Sequence, residues 1–339
     1  MTSHSHLPAA TRVLRGFLTI ILLVGLAACT QRYQPAGPAI QEAALEGDHF
    51  VMSDGYRLRL RQADAVGEVR TVVIALHGIN DYAHAWREPA ARWAKEGIRT
   101  YAYDQRGFGA NADPGIWPTA ETLVDDLADV ISVVQARHPG KPVFLVGESM
   151  GGAVVMALLG RSGAPRVDGA VLSAPAVWSR ETMNPTYQRV LSAFNAVLPG
   201  LVLRGNGLRR QPTDNIEMLR AMGRDPLVIK GARVDVIAGL VNLMDAAYAA
   251  VPRIETPVLV LYGEHDEIVP RHAVVKTLAR FEIEPDLAVY PKGWHMLFRD
   301  LNGPIVQNDV RHWIMKGGPD LPSGAHERAD FLRDGAEGG

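Results

Sequence analysis

Six short apolar runs set the limits on what this chain can fold into. Residues 71–76 (TVVIAL), 100–103 (TYAY), 143–146 (VFLV), 169–175 (GAVLSAP), 257–262 (PVLVLY) and 287–290 (LAVY) carry apolar residues with no regular polar alternation. A strand wetted on one face alternates, whereas a strand covered on both faces does not. Helical stretches lie between them at 85–96 and 121–137. The second puts Leu123, Leu127, Val130, Ile131 and Val134 on one face and stops at His138-Pro139-Gly140. Continuous strands alternating with such helices predict an α/β fold: a mostly parallel central sheet with helices on both faces. An antiparallel pair comes first, over residues 48–60, around the turn Ser53-Asp54-Gly55.

The rhythm breaks between Val177 and Val251, where prolines and glycines separate helical pieces. Residues 180–253 therefore read as a helical cap inserted into a core made of 46–179 and 254–316. Within it, 187–203 is rich in Val, Leu and Phe, a face that either packs on the core or lines a greasy pocket. Residues 317–339 are small, polar and unpatterned and are expected to be a disordered tail. The formal net charge of −2 gives no global field to attract nucleic acid.

Arg12 and Arg15 precede thirteen mostly apolar residues, 16–28, which end in Leu26-Ala27-Ala28-Cys29. A spanning helix needs about 20 residues. The layout is that of a secretory signal, residues 1–28. Its last four residues resemble the lipobox of bacterial lipoproteins, which implies lipidation of Cys29, the only cysteine. Residues 29–45, with two prolines, are then a tether. Anchorage in the cell envelope through lipidated Cys29 follows. The outer membrane, facing the periplasm, is favoured because Thr30 stands where inner-membrane retention uses Asp.

Gly147-Glu148-Ser149-Met150-Gly151 follows an apolar strand and precedes a helix. G-x-S-x-G in that setting is a nucleophile elbow, a turn so sharp that the serine backbone is strained and its hydroxyl projects from the sheet's C-terminal edge. The alternative is a glycine-rich turn with a capping serine. A hydrolase of this type needs an acid and then a histidine downstream. Asp266 follows the 257–262 strand, with Glu264 and Glu267 as rival acids. Of His272, His295, His312 and His326, only His295 sits in the loop after the last strand. The amide of Met150, at the start of a helix, and that of Ile79, in the loop after 71–76, are candidate oxyanion donors. His77 is expected to hold that loop rather than do chemistry. Gly107-Phe108-Gly109-Ala110-Asn111-Ala112 matches a dinucleotide fingerprint, but Pro114 and Pro118 forbid the helix that such a site requires.

The ordered set HGIND, YDQRGFG, GESMGG, RDPLV, YGEHDEIVP and KGWH resembles the monoacylglycerol lipase and lysophospholipase branch of the α/β-hydrolases, over about residues 45–315. The resemblance implies Ser149 as nucleophile, Asp266 as acid and His295 as base. It implies the Ile79 and Met150 amides as oxyanion hole, no metal and no organic cofactor, and a cap over an acyl pocket. The expected substrate is a single-chain lipid ester. A small-ester carboxylesterase and a non-catalytic envelope binding protein are the alternatives. Asn80-Asp81 replaces the family's Gly-Glu, so the carboxylate associated with glycerol recognition is expected to be shifted or absent. Asn111 stands where a serine is common.

Overall fold

The computed structural model describes residues 30–204 and 210–333. The signal region and Cys29 lie outside them. Among the described residues nine strands form one sheet in the order β1-β2-β3-β5-β4-β6-β7-β10-β11, and the short β8 (Val202–Leu203) and β9 (Ala232–Arg233) pair apart from it. β1 (Ala44–Glu46), β2 (His49–Val51) and β3 (Arg57–Ala63) are antiparallel to their neighbours. β4 (Thr71–Leu76), β5 (Ile98–Tyr103), β6 (Val143–Glu148), β7 (Gly169–Ser173), β10 (Val258–Gly263) and β11 (Asp286–Tyr290) pair in parallel. The unalternated runs of the sequence are these six strands. Val72, Ile74 and Leu76 face one core layer, while Val73 and Ala75 face the other. Such inside-on-both-sides burial is the reason the runs show no polar alternation.

Helices cover both layers: α1 (Arg87–Ala94), α2 (Ala120–Arg137), α3 (Met150–Leu159), α4 (Pro185–Val197), α5 (Ile216–Arg224), α6 (Val234–Ala250), α7 (Arg271–Leu278) and α8 (Gly303–Lys316). α2 starts on Thr119, whose hydroxyl accepts from the Thr122 amide. The cap is smaller than the sequence suggested. α6 buries Val236, Val241, Leu243, Met244 and Ala247 in the core and packs on α3, so the cap proper is residues 180–233. α6 is also apolar enough to cross a bilayer, but its burial accounts for that composition.

Two expectations about the ends are corrected. Residues 30–43 are not a free tether. The Gln34 amide bonds the Trp117 carbonyl at 3.0 Å, Ala36 the Thr122 hydroxyl at 2.9 Å and Ile40 the Ser53 carbonyl at 2.8 Å. The prolines leave fewer amides to satisfy, and the core supplies acceptors for these. Nor is the C-terminal stretch disordered as far as residue 333. Leu321 and Ala325 join one core layer, Ala329 and Leu332 the other. The chain thus wraps around the free edge at β11. Its apolar residues follow that path rather than a helical or strand period, which is why the sequence showed no pattern.

Candidate functional site

The elbow after β6 has the strain its sequence announced. Ser149 has φ 52° and ψ −114°, a region that L-residues other than glycine rarely occupy. Three backbone bonds hold it there. Its amide donates to Ser173 at 2.9 Å, and its carbonyl accepts from Ala176 at 3.0 Å and Ala153 at 3.1 Å. The glycines exist for closeness. A Cβ on Gly151 would lie 2.4 Å from the Leu76 carbonyl oxygen, and one on Gly147 would lie 2.6 Å from the Gly151 backbone. The Ser149 hydroxyl makes no capping bond to α3, so the bland reading of a capping serine finds no support in the geometry.

Asp266 and His295 are brought together. The ring Nδ1 lies 2.9 Å from Asp266 Oδ2, and both side chains are buried. An ionised carboxylate only accepts, so Nδ1 carries the proton and Nε2 is left free. The other oxygen, Oδ1, accepts from the Ile268 and Val269 amides at 2.8 and 2.9 Å. Burial pushes the imidazole pKa down. The charge and hydrogen bond of Asp266, with Glu148 beyond, outweigh it and hold the ring above its ordinary value. The rival acids are engaged elsewhere, Glu264 with Arg328 and Glu267 with the Gln211 amide. Of the other histidines, His272 bonds the Thr182 carbonyl and His326 the Leu321 amide.

Ser149, Asp266 and His295 follow β6, β10 and β11 at the same end of the sheet. The structure does not join Ser149 to His295: no hydrogen bond links the hydroxyl to the ring or to any other described residue. Catalytic hydrogen bonds in unliganded sites are commonly long and tighten once substrate is bound.

The loop after β4 is braced by His77. Its Nδ1 lies 2.8 Å from the Gly78 carbonyl oxygen, and its Nε2 accepts from the Gln105 amide at 2.9 Å. Burial lowers this imidazole's pKa and keeps it neutral, as two one-way bonds require. Holding the Gly78 carbonyl fixes the peptide plane, so the Ile79 N–H at its other end points the opposite way. Neither the Ile79 nor the Met150 amide has a hydrogen-bond partner among the described residues. Gly78 passes so close that a Cβ there would touch the Ser149 Cβ at 3.4 Å.

A buried ionic cluster escaped the sequence reading. Arg299, four residues after His295, bonds Asp81 Oδ2 and Glu148 Oε1, each at 2.6 Å. It thereby ties the β4 loop, the elbow and the histidine loop to one another. Asp81 stands where the family's glutamate is expected, one residue after Asn80. Asp81 is present and buried, committed to Arg299 and to the Tyr82 amide. The only sequence signal was an arginine one helical turn past the histidine, with acids beside the serine and in the loop. The cap segment RDPLV latches here too, through Tyr82 Oη to Asp225 at 2.6 Å and the Ile229 amide to the Asn80 carbonyl at 2.9 Å. Between loop and cap lies a cavity of about 370 Å³, lined by Asp81, Tyr82, Met218, Met222, Asp225 and Arg299 among others. The Nε of Arg299 is buried with no partner among the described residues.

The family model described as "Serine aminopeptidase, S33" (Hydrolase_4) matches residues 67–302. Monoacylglycerol lipase of Mycolicibacterium smegmatis is 28% identical over 73% of this chain and 88% of its own length. Human monoglyceride lipase is likewise 28% identical, over 78% of this chain and 88% of its own length. A soluble variant of monoglyceride lipase from Saccharomyces cerevisiae, solved with a substrate analog, superposes with TM-score 0.67 at 19% identity, covering 85% of this chain and 99% of that one. The monoacylglycerol lipase structure from Paleococcus ferrophilus gives 0.65 at 20%, over 77% and 99%. These structures share the fold, a parallel sheet covered on both faces. With a match spanning well over half its length, the chain belongs to the Hydrolase_4 family of serine hydrolases, as a monoacylglycerol lipase-like member with the α/β-hydrolase fold.

Proposed function

We infer that the chain hydrolyses single-chain lipid esters, such as a monoacylglycerol or lysophospholipid, through an acyl-enzyme. The observation that carries this reading is the Asp266–His295 pair facing the same sheet end as the strained Ser149. In this reading His295 Nε2 takes the Ser149 proton as Oγ attacks the ester carbonyl. The ring then gives that proton to the departing alcohol. Water, activated by the same ring, releases the fatty acid and restores the serine. The Ile79 and Met150 amides receive the oxyanion in both steps. An ester rather than a peptide is favoured by the relatives named as monoacylglycerol and monoglyceride lipases.

The same reading places the protein on a bacterial envelope membrane by acylation of Cys29 after removal of residues 1–28, most simply at the outer membrane. The leader's composition supports it.

A fluorophosphonate probe tests the nucleophile: it labels the wild type and not Ser149→Ala. Comparison of kcat/KM across monoacylglycerols, lysophospholipids and p-nitrophenyl esters of graded length tests the substrate class. Turnover of short esters alone would leave a carboxylesterase. Absence of labelling would leave a binding protein.

A further inference from the structure

The cap reaches the catalytic end of the sheet through one short segment. That segment is not α4, which turns Tyr187, Val190, Phe194 and Val197 outward, 45–66% exposed, so the apolar face of 187–203 does not pack on the core. Residues 210–215 run along both triad loops instead. On the acid loop, Glu267, the neighbour of Asp266, accepts from the Gln211 amide at 2.7 Å, and its carbonyl accepts from Arg210 at 3.1 Å. On the histidine loop, the Leu301 amide donates to Asp214 at 2.8 Å, and the Asn215 side chain donates to the Arg299 carbonyl at 3.0 Å.

Two further bonds bracket His295. The amide of Trp294, the residue before it, donates to Asp300 Oδ2 at 2.7 Å. The amide of Met296, the residue after it, donates to the Pro212 carbonyl at 2.9 Å. Asp300 is in turn held by the cap, because its Oδ1 accepts from the Thr213 hydroxyl at 2.6 Å. That hydroxyl oxygen accepts from the Asn215 amide at 3.2 Å, which leaves its proton for Asp300. Asp300 is 4% exposed and Thr213 0%, so bulk water does not compete for these bonds. An ionised carboxylate only accepts, and here each oxygen takes one donor, one from the histidine loop and one from the cap.

We propose that Asp300 is a positioning residue for His295, and that Thr213 makes this positioning depend on the cap. Pro212, Thr213 and Asp300 together fix the backbone on either side of the histidine, and with it the distance from Nε2 to Ser149. The proposal rests on the reading of Ser149, Asp266 and His295 as the triad. Asp266 sets the ring's tautomer and tilt through Nδ1, while the clasp sets where the loop carrying the ring stands. No hydrogen bond joins the Ser149 hydroxyl to the ring among the described residues, so the loop's position decides whether the two can meet. A cap acting only on substrate would change KM. A cap acting on the ring changes kcat.

The test uses the full chain and a soluble short p-nitrophenyl ester, with a thermal melt to check that each variant is folded. Burial first, then the nearby Asp214 and Glu148, pushes the Asp300 carboxyl up to about 6 against the two bonds it accepts, so the assays are run at about pH 8, where it is ionised. Thr213→Val keeps the shape and removes the hydroxyl. Asp300→Asn keeps one acceptor and loses the other. Each is expected to lower kcat at least about tenfold while KM changes less than about twofold. Thr213→Ser restores the hydroxyl and is expected to recover kcat to within about threefold of the wild type. Asn184→Ala loosens the cap elsewhere, at the start of α4, and is expected to leave kcat unchanged. The downfield proton resonance of His295 Nδ1–H, assigned by its loss in His295→Ala, is expected to move or broaden in Thr213→Val and Asp300→Asn and to stay in place in Asn184→Ala. Unchanged kcat in the first two variants, an equal loss in Asn184→Ala, or an equal loss in Thr213→Ser would overturn the proposal. A wild type that neither reacts with the fluorophosphonate nor turns over ester would sink the triad reading instead. The resonance needs no turnover and still decides the positioning: shifted in Thr213→Val it upholds the clasp, and unshifted it overturns it.

Discussion

Asp266 serves two masters: Oδ2 lies 2.9 Å from His295 Nδ1, while Oδ1 is held by the Ile268 and Val269 amides. The carboxylate is fixed before it fixes the ring. Asp266→Asn keeps the shape but can present an N–H to Nδ1, favouring the wrong tautomer. A kcat loss of about 10⁴-fold on a short p-nitrophenyl ester is expected, with the thermal midpoint little changed. A loss below about tenfold would mean that the ring is oriented by something else.

The pH profile should carry the mark of the neighbouring charges. The ring works as a base only when neutral, and its pKa is held above the ordinary value of about 6.5. Activity, as kcat/KM, is therefore expected to rise with pH through a limb lying above that value. Glu148→Gln removes one charge that raises it and leaves Arg299, which lowers it. The limb should then move to lower pH. Profiles of both proteins on one soluble ester decide the direction.

Arg299 neutralises two buried acids, so its loss strands both. Arg299→Ala is expected to cost about 3–5 kcal/mol in urea unfolding, since an unpaired buried charge is worse than no charge at all. Arg299→Lys supplies one point charge in place of a fork and should recover only part of that. Equal stability of wild type and Arg299→Ala would show that water reaches the cluster freely.

Gly151→Ala adds one methyl group where the Leu76 carbonyl leaves 2.4 Å. Backbone cannot step aside as a side-chain tip can. A destabilisation of about 2–3 kcal/mol is expected from denaturant melts, together with reduced fluorophosphonate labelling as the elbow is pushed out of place.

The core of this fold was legible because double-sided burial leaves a mark that needs no alignment: TVVIAL and VFLVGE carry polar residues only at an end, with no alternation inside. Asp266 and His295 could be picked out because strand ends place loops, and loops after β10 and β11 reach one end of the sheet. Arg299 was illegible because its partners lie 151 and 218 positions away. Nothing local distinguishes it from a solvent-facing arginine. α6 was assigned to the cap because its burial depends on α3, which only the assembled layers reveal. The apolar face of α4 gave an ordinary amphipathic pattern, and sequence alone does not say which side of a helix is outside.

The passage of residues 321–333 from one layer to the other bears on how the protein is best produced. β11 is the last strand of the sheet, and a bare edge strand is a template for pairing with other molecules. Shortening the chain at residue 316 to obtain a tidier sample would strip Leu321, Ala325, Ala329 and Leu332 from their seats. Poor solubility and clumping after such trimming would then reflect the cut rather than the enzyme.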